Sequence, residues 1–233
     1  SLAGLPDGTW QLRVRRVDGQ GIQGRDSQRE VVLKARPEPP APIAPVHQAK
    51  QSVGAVKLSW AENTEAASYR LQVAADPGFE RPLQSADALR GGSTEVRLAE
   101  PGSVWWRLRS VRADGDLGPW GDAQRIELRA LPTPPSGGLD GDRLTLAWSG
   151  RAEDRQEVQL SRDPGFQQLI ASDTLSEPRW ATARPEQPGT VYFRYRSIEA
   201  DGFVSPWSST LKLEIPRDWR SMGWLALPLL LAL

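Results

Sequence analysis

The chain has 233 residues, and its 29 Lys and Arg residues balance its 29 Asp and Glu residues, so the formal net charge is zero. This length suits about two domains of the commonest size, and the balanced charge provides no field that would attract nucleic acid. The absence of cysteine excludes disulfides, thiolate metal ligands and a thiol nucleophile, but it does not separate the cytosol from an exported compartment.

The composition favours strands over helices. Ten Trp residues occur together with 20 Pro and 21 Gly residues, which is typical of many short strands separated by turns. We therefore predict an all-β chain.

The first segment of the chain is a partial copy of a later one. LPDGTWQLRVRRVDGQGIQG aligns with the segment that begins at Ala99, because Gly8, Val17, Gly21 and Gly24 correspond to Gly102, Val111, Gly115 and Gly118. Only the end of the repeat is present. We expect residues 1–36 to be the last strands of a truncated module, and the chain to be the C-terminal piece of a longer protein.

Two complete copies follow. The stretch from Leu58 recurs from Leu146, and several pairs are 87 residues apart: Asp76 and Asp163, Phe79 and Phe166, Gly102 and Gly189, Trp120 and Trp207. A constant offset indicates one duplicated domain. We place the copies at residues 37–131 and 132–216, each preceded by a Pro-rich stretch (35–45 and 130–138) that predicts a semi-rigid linker.

Strand alternation predicts which side chains are buried. Successive residues of a strand point to opposite faces, so WWRLRS and its copy YFRYRS each have one inner and one outer face. The predicted inner residues are Val104, Trp106, Leu108 and Ser110, with Val191, Phe193, Tyr195 and Ser197 in the second copy. Trp60 and Trp148 are predicted as the central core aromatics.

These motifs carry a resemblance. A Trp on the second strand, the Tyr-x-Leu-x-Val strand at Tyr69, and PG-x-x-aromatic-x-Arg-x-Arg together resemble fibronectin type III domains over residues 37–216. The resemblance implies tandem immunoglobulin-like β-sandwiches. The sequence adds a short hydrophobic tail after them.

A narrower resemblance concerns location. LPDGTWQLRVRRVDGQGIQGRD, followed by repeats with DPGF and ADG-x-x-x-PW, is similar to the C-terminal region of bacterial FecR-domain envelope proteins, in which a LysM module is also common. It implies an exported, periplasmic protein of the cell envelope.

Two hypotheses concern the outward aromatic and basic residues. In the first, arginines stack on tryptophans as a structural arginine–tryptophan ladder: Arg107 and Arg109 on Trp120, Arg194 and Arg196 on Trp207. In the second, a flat aromatic surface binds a cell-wall glycan or a protein through Trp105, Trp120, Trp180 and Trp207.

Catalytic and metal sites are not expected. The sequence has no GxSxG, HExxH or P-loop motif, and its one histidine, His47, lies in a Pro-rich run. The DPGF segments at Asp76 and Asp163 predict type II turns with Gly at the third position, because one carboxylate falls short of the ligands that calcium takes. We predict neither catalytic residues nor cofactors.

The tail, residues 217–233, ends in a run from Met222 to Leu233 that contains no charge. As a helix, this run would extend about 18 Å, less than the hydrocarbon core of a bilayer. It is therefore the first half of a membrane anchor, a membrane-associated tail or a segment packed on the last sandwich; we favour the first. The resulting expectation is a non-catalytic envelope spacer and interaction array, with accessory carbohydrate-binding modules of a secreted enzyme as the alternative.

Overall fold

The computed structural model describes residues 7–33 and 36–217, and these contain strands, turns and loops but no helix. The chain divides into two units, Ser1–Arg129 and Ala130–Leu233. The prediction of an all-β chain is confirmed. No helix in the described ranges is long and apolar enough to cross a membrane, and the predicted anchor at residues 222–233 lies outside those ranges.

The first unit begins with an antiparallel hairpin. Strand β1 (Gly8–Val14) pairs with β2 (Ser27–Leu33), and Gly8 lies opposite Leu33. The amide of Gly24 donates to the carbonyl of Arg16, as the amide of Gly118 donates to that of Ser110 in the complete module. The hairpin therefore has the same backbone hydrogen bonding as the end of the repeat with which it aligns.

The rest of the first unit is a complete sandwich. Its strands are β3 (Pro42–Ala44), β4 (Ala49–Ser52), β5 (Gly54–Trp60), β6 (Ser68–Ala74), β7 (Pro82–Leu89), β8 (Ser93–Leu98), β9 (Gly102–Val111) and β10 (Gln124–Arg129). One sheet has the order β3-β5-β8 and the other β4-β10-β9-β6-β7. All pairs are antiparallel except β4 with β10.

The core of this sandwich follows the predicted alternation. Trp106 is 1 % exposed and Trp60 is 2 % exposed, whereas their strand neighbours Trp105 and Ser59 are partly exposed. Trp60 packs edge-on against Tyr69, with ring centroids 5.5 Å apart. Removal of these apolar side chains from water provides the main stabilisation of the module.

The second unit holds the second sandwich. Its strands are β11 (Ser136–Asp140), β12 (Arg143–Ala147), β13 (Arg155–Ser161), β14 (Leu169–Leu175), β15 (Arg179–Ala183), β16 (Gly189–Ile198) and β17 (Leu211–Ile215). The sheets have the orders β11-β12-β15 and β14-β13-β16-β17.

Its core also follows the prediction, with one exception. Trp148 stacks on Tyr195 at 4.9 Å between ring centroids, and Phe193 is fully buried beside them. Ser197, which was predicted to be buried, is only half-buried, and its hydroxyl donates to Gln156. Its counterpart Ser110 is fully buried and donates to the carbonyl of Glu38 in the preceding Pro-rich stretch.

The Pro-rich stretches are wrongly predicted as semi-rigid linkers. Pro37, Pro40 and Pro45 are buried, and β3 lies within the first stretch. The carbonyl of Glu38 also accepts a hydrogen bond from the side-chain amide of Asn63. In the second stretch, Pro135 is buried and β11 begins at Ser136. The prolines supply apolar surface that packs on the module, so each stretch is part of its own module.

Candidate functional site

The predicted arginine–tryptophan ladder is present on the outer face of the larger sheet of the first module. The guanidinium carbon of Arg107 lies 4.6 Å from the ring centroid of Trp120, and that of Arg109 lies 4.4 Å from the same centroid. Two residues along a strand span about 7 Å, which is the space that one ring with a guanidinium on each side requires. The ring of Trp120 therefore contacts both guanidinium groups, and the residue is partly exposed.

The second module repeats this geometry. Arg194 lies 4.3 Å and Arg196 lies 4.6 Å from the ring centroid of Trp207. The structure thus brings together all four predicted arginine–tryptophan pairs, two in each module. The loop that carries each tryptophan is fixed by backbone hydrogen bonds, from Gly121 to Leu108 and from Ser208 to Tyr195.

A phenylalanine extends each ladder, and the sequence reasoning missed it. Arg107 lies 4.0 Å from the ring centroid of Phe79, and Arg194 lies 3.9 Å from that of Phe166. Both rings come from the DPGF segments. The signal in the sequence was that phenylalanine and arginine keep the same separation in both copies.

The DPGF turns differ from the predicted type II geometry. A type II turn needs a left-handed third residue, but Gly78 is not left-handed, and the residue with positive φ is Phe79, at 56°. The amide of Phe79 donates to the carbonyl of Asp76. Non-glycine residues rarely adopt this conformation. In this turn, the ring of Phe79 packs on the guanidinium group of Arg107.

In each ladder, a glutamine side chain accepts hydrogen bonds from the arginine that contacts both the phenylalanine and the tryptophan. The Nε and Nη2 atoms of Arg107 donate to Oε1 of Gln72, at 3.1 and 2.8 Å. Arg194 makes the same pair of hydrogen bonds to Gln159, at 2.9 and 2.7 Å. Each ladder is therefore tied to the strand beside it as well as to the aromatic rings.

The hairpin carries a variant of the ladder. Asp26 aligns with Trp120, and its carboxylate forms ion pairs with Arg13 at 3.2 Å and with Arg15 at 2.8 Å. Arg13 and Arg15 align with Arg107 and Arg109. A carboxylate between two arginines thus takes the place of the aromatic ring.

The predicted flat aromatic surface is not formed as expected within either module. Trp180 is 8 % exposed and packs in the core against Phe193, because it occupies an inward position of β15 opposite Leu146. Trp120 and Trp207 are partly exposed, and each ring packs against two guanidinium groups. Trp105 is half-buried, with Arg125 at 5.8 Å from its ring.

A depression of about 420 Å³ lies at one edge of the second module. Asp173, Glu177, Arg179 and the edge of Trp180 contribute to its lining. Glu177 forms an ion pair with Arg179 at 2.6 Å, and Asp173 accepts a hydrogen bond from the amide of Thr174. Both carboxylates are engaged by groups of the chain itself.

The described residues contain no cluster of three or more His, Cys, Asp or Glu side chains that could hold a metal ion. The carboxylate of Asp163 accepts hydrogen bonds from the amides of Gly165, Gln167 and Gln168 and from the hydroxyl of Ser161. Partial desolvation raises the pKa of Asp163, but these hydrogen bonds together outweigh it and lower that pKa. The carboxylate closes a turn, as predicted.

The energy of one ladder contact can be measured by a double-mutant cycle. We expect Trp120→Ala and Arg109→Ala to be coupled by about 0.5–1 kcal/mol in the free energy of unfolding, the usual strength of a cation–π pair at an exposed site. Urea unfolding of the two single variants and the double variant measures this coupling. Additive single effects would show that the ring and the guanidinium do not stabilise each other.

Comparison with known proteins adds the following. No protein-family model matches the chain, and no curated protein matches it. Among solved structures, the chain is similar to the fibronectin(III)-like modules of Clostridium thermocellum CbhA, at 14% sequence identity and a TM-score of 0.35, over 75% of this chain and 93% of that chain. It is also similar to the FN1–FN3 domains of chicken CNTN1, at 14% identity and a TM-score of 0.34, over 90% of this chain and 76% of that chain. The sheet orders of the two complete modules already establish tandem sandwiches of the fibronectin type III-like fold class.

Proposed function

We propose that this chain is a non-catalytic spacer and interaction array of the bacterial cell envelope, acting as the C-terminal part of a FecR-domain-like protein. The observation that carries the proposal is the repeated ladder. In both modules, the outward arginines and tryptophans that the duplication retains bind one another, as Arg107 and Arg109 do with Trp120. The outward arginines and tryptophans therefore have a structural role in each copy.

Such a ladder suits a spacer because it stiffens the outer face of a module. Arg107 joins β9 to Gln72 on β6, to Phe79 in the DPGF turn and to Trp120 in the loop before β10. Each module also has its own apolar core. Modules with these properties hold their shape without a ligand or a metal.

The envelope location is supported by the resemblance of the repeats, and of the segment that begins at Leu5, to envelope proteins. We propose a periplasmic location, with residues 222–233 as a membrane anchor. The partner is a protein or a cell-wall glycan. The alternative, a set of carbohydrate-binding modules, is less well supported because the rings of Trp120 and Trp207 already pack against arginines of their own module.

Cell fractionation tests the proposal. The full-length protein should be found in the envelope of the bacterium that produces it, should be accessible to protease added to spheroplasts, and should remain with the membrane after carbonate extraction. A cytosolic enzyme and a periplasmic binding protein serve as markers. Recovery with the cytosolic marker would contradict the envelope role, and release by carbonate would contradict the anchor.

A further inference from the structure

The two ladders differ in the residue that faces the last arginine. In the second module, Glu157 lies opposite Arg196 across β13 and β16, and the Oε2–Nη2 distance of this ion pair is 2.6 Å. In the first module, the corresponding residue on β6 is Arg70, which lies opposite Arg109 on β9. The duplicated fold therefore holds an opposite-charge pair in one copy and a like-charge pair in the other.

The like-charge pair is incompletely neutralised. Asp87 forms an ion pair with Arg70 at 3.1 Å, and its side chain is 68% exposed. No carboxylate among the described residues forms an ion pair with Arg109, and its Nε atom is buried without a hydrogen-bond acceptor. Burial, followed by the nearby charge of Arg70, lowers the pKa of Arg109, whereas Asp87 raises it.

Like charges that lie directly opposite each other destabilise a sheet. A residue that destabilises the local structure is a candidate for a functional role. The second module shows that the same fold accepts a glutamate at this position. Asp87 pairs with Arg70 but forms no ion pair with Arg109, so the group of Arg70, Arg109 and Asp87 carries an excess of positive charge on this face.

We propose that Arg70 and Arg109 form an anion-binding site on the first module for an acidic segment of another protein, bound in an extended conformation. The face lies on two adjacent strands of a sheet, so it suits a polymer better than a small molecule, which prefers a concave site. A sugar binds best to a free aromatic face, but the ring of Trp120 already packs against Arg107 and Arg109. The carboxylates of an extended peptide repeat on one side every two residues, about 7 Å apart, which is also the spacing of the partly exposed Arg107 and Arg109 along β9.

An acidic protein segment would be the partner in the interaction role proposed for this chain, and the site rests on that role. Failure of the site to bind would leave the spacer role and the envelope location unaffected, because fractionation tests those separately.

The test uses the full chain and a fluorescein-labelled hexaglutamate peptide, with binding followed by fluorescence anisotropy at low ionic strength. Arg70→Glu, which copies the second module, should weaken binding about tenfold or more, since a hydrogen bond to a charged group is lost. Arg97→Glu is the matched control: it makes the same change in net charge on β8 of the other sheet, and it should weaken binding about twofold or less. Thermal unfolding should show a midpoint for Arg70→Glu within a few degrees of that of the wild type, because the new pair with Arg109 offsets the loss of the exposed pair with Asp87.

A second variant tests whether a pair of facing arginines is sufficient for binding on this fold. Adding Glu157→Arg to Arg70→Glu restores the net charge of the wild type and moves the like-charge pair to the second module, so binding should return. Equal weakening by Arg70→Glu and Arg97→Glu would overturn the proposal, and so would a failure of the double variant to bind. Polygalacturonate that binds more tightly than hexaglutamate, with the same dependence on Arg70, would overturn the peptide partner in favour of an acidic glycan.

Discussion

Replacing Trp106 by alanine is expected to lower the free energy of unfolding of the first complete module by about 3–5 kcal/mol. The indole is 1 % exposed and lies at the centre of the core between the two sheets. Its removal leaves a cavity that the surrounding strands can fill only in part, so both the transfer free energy and the packing contacts are lost. Urea unfolding of the full chain, with hydrogen exchange of β5, β6 and β9 as the local probe, measures the loss.

The chain offers a matched comparison for this variant. Phe193 occupies the place of Trp106 in the second module and is fully buried there. Trp106→Phe should therefore cost much less than the alanine variant, also because it removes an indole N–H that is buried without an acceptor.

Trp105→Ala is the control on the opposite face of the same strand. We expect it to cost about 1 kcal/mol, the usual effect of a substitution that creates no core cavity. Equal losses at Trp105 and Trp106 would contradict the assignment of inner and outer faces to β9.

The sequence was sufficient for the fold because a strand has a period of two and the domain is duplicated. The alternation on β9 separates Trp106 from Trp105, and the structure places them in the core and on the outer face respectively. The arginine–tryptophan pairs could be predicted for the same reason, since Arg107 and Arg109 share a face on one strand.

Features that depend on contacts distant in sequence could not be predicted. The ring of Phe79 packs on Arg107 from a residue with a left-handed backbone, and no local pattern indicates this conformation for a phenylalanine. Trp180 was placed on the surface, but the register of β15 against β12 turns it inward. The burial of Pro37 and Pro40 likewise depends on a surface that only the folded module provides.

The second large loss of stability is expected for a substitution at Gly118. A Cβ atom added at this position would lie 2.0 Å from the carbonyl oxygen of Pro37 and 3.1 Å from its carbonyl carbon, both backbone atoms. Gly118→Ala should therefore push residues 37–39 off the module and break the hydrogen bonds from Ser110 and Asn63 to the carbonyl of Glu38. Overpacking and the lost hydrogen bonds together should cost about 3 kcal/mol.

Urea unfolding measures that cost, and faster hydrogen exchange at β3 and in the loop before it would locate the damage. Gly24 is the matched control, because it aligns with Gly118 in the hairpin, and a Cβ there would meet the carbonyl oxygen of Arg16 at 3.4 Å. Gly24→Ala should consequently leave the unfolding of the first module unchanged. If Gly118→Ala also left the free energy of unfolding unchanged, the first Pro-rich stretch would be a linker. A segment that can move aside at no cost does not belong to the packed edge of the sandwich.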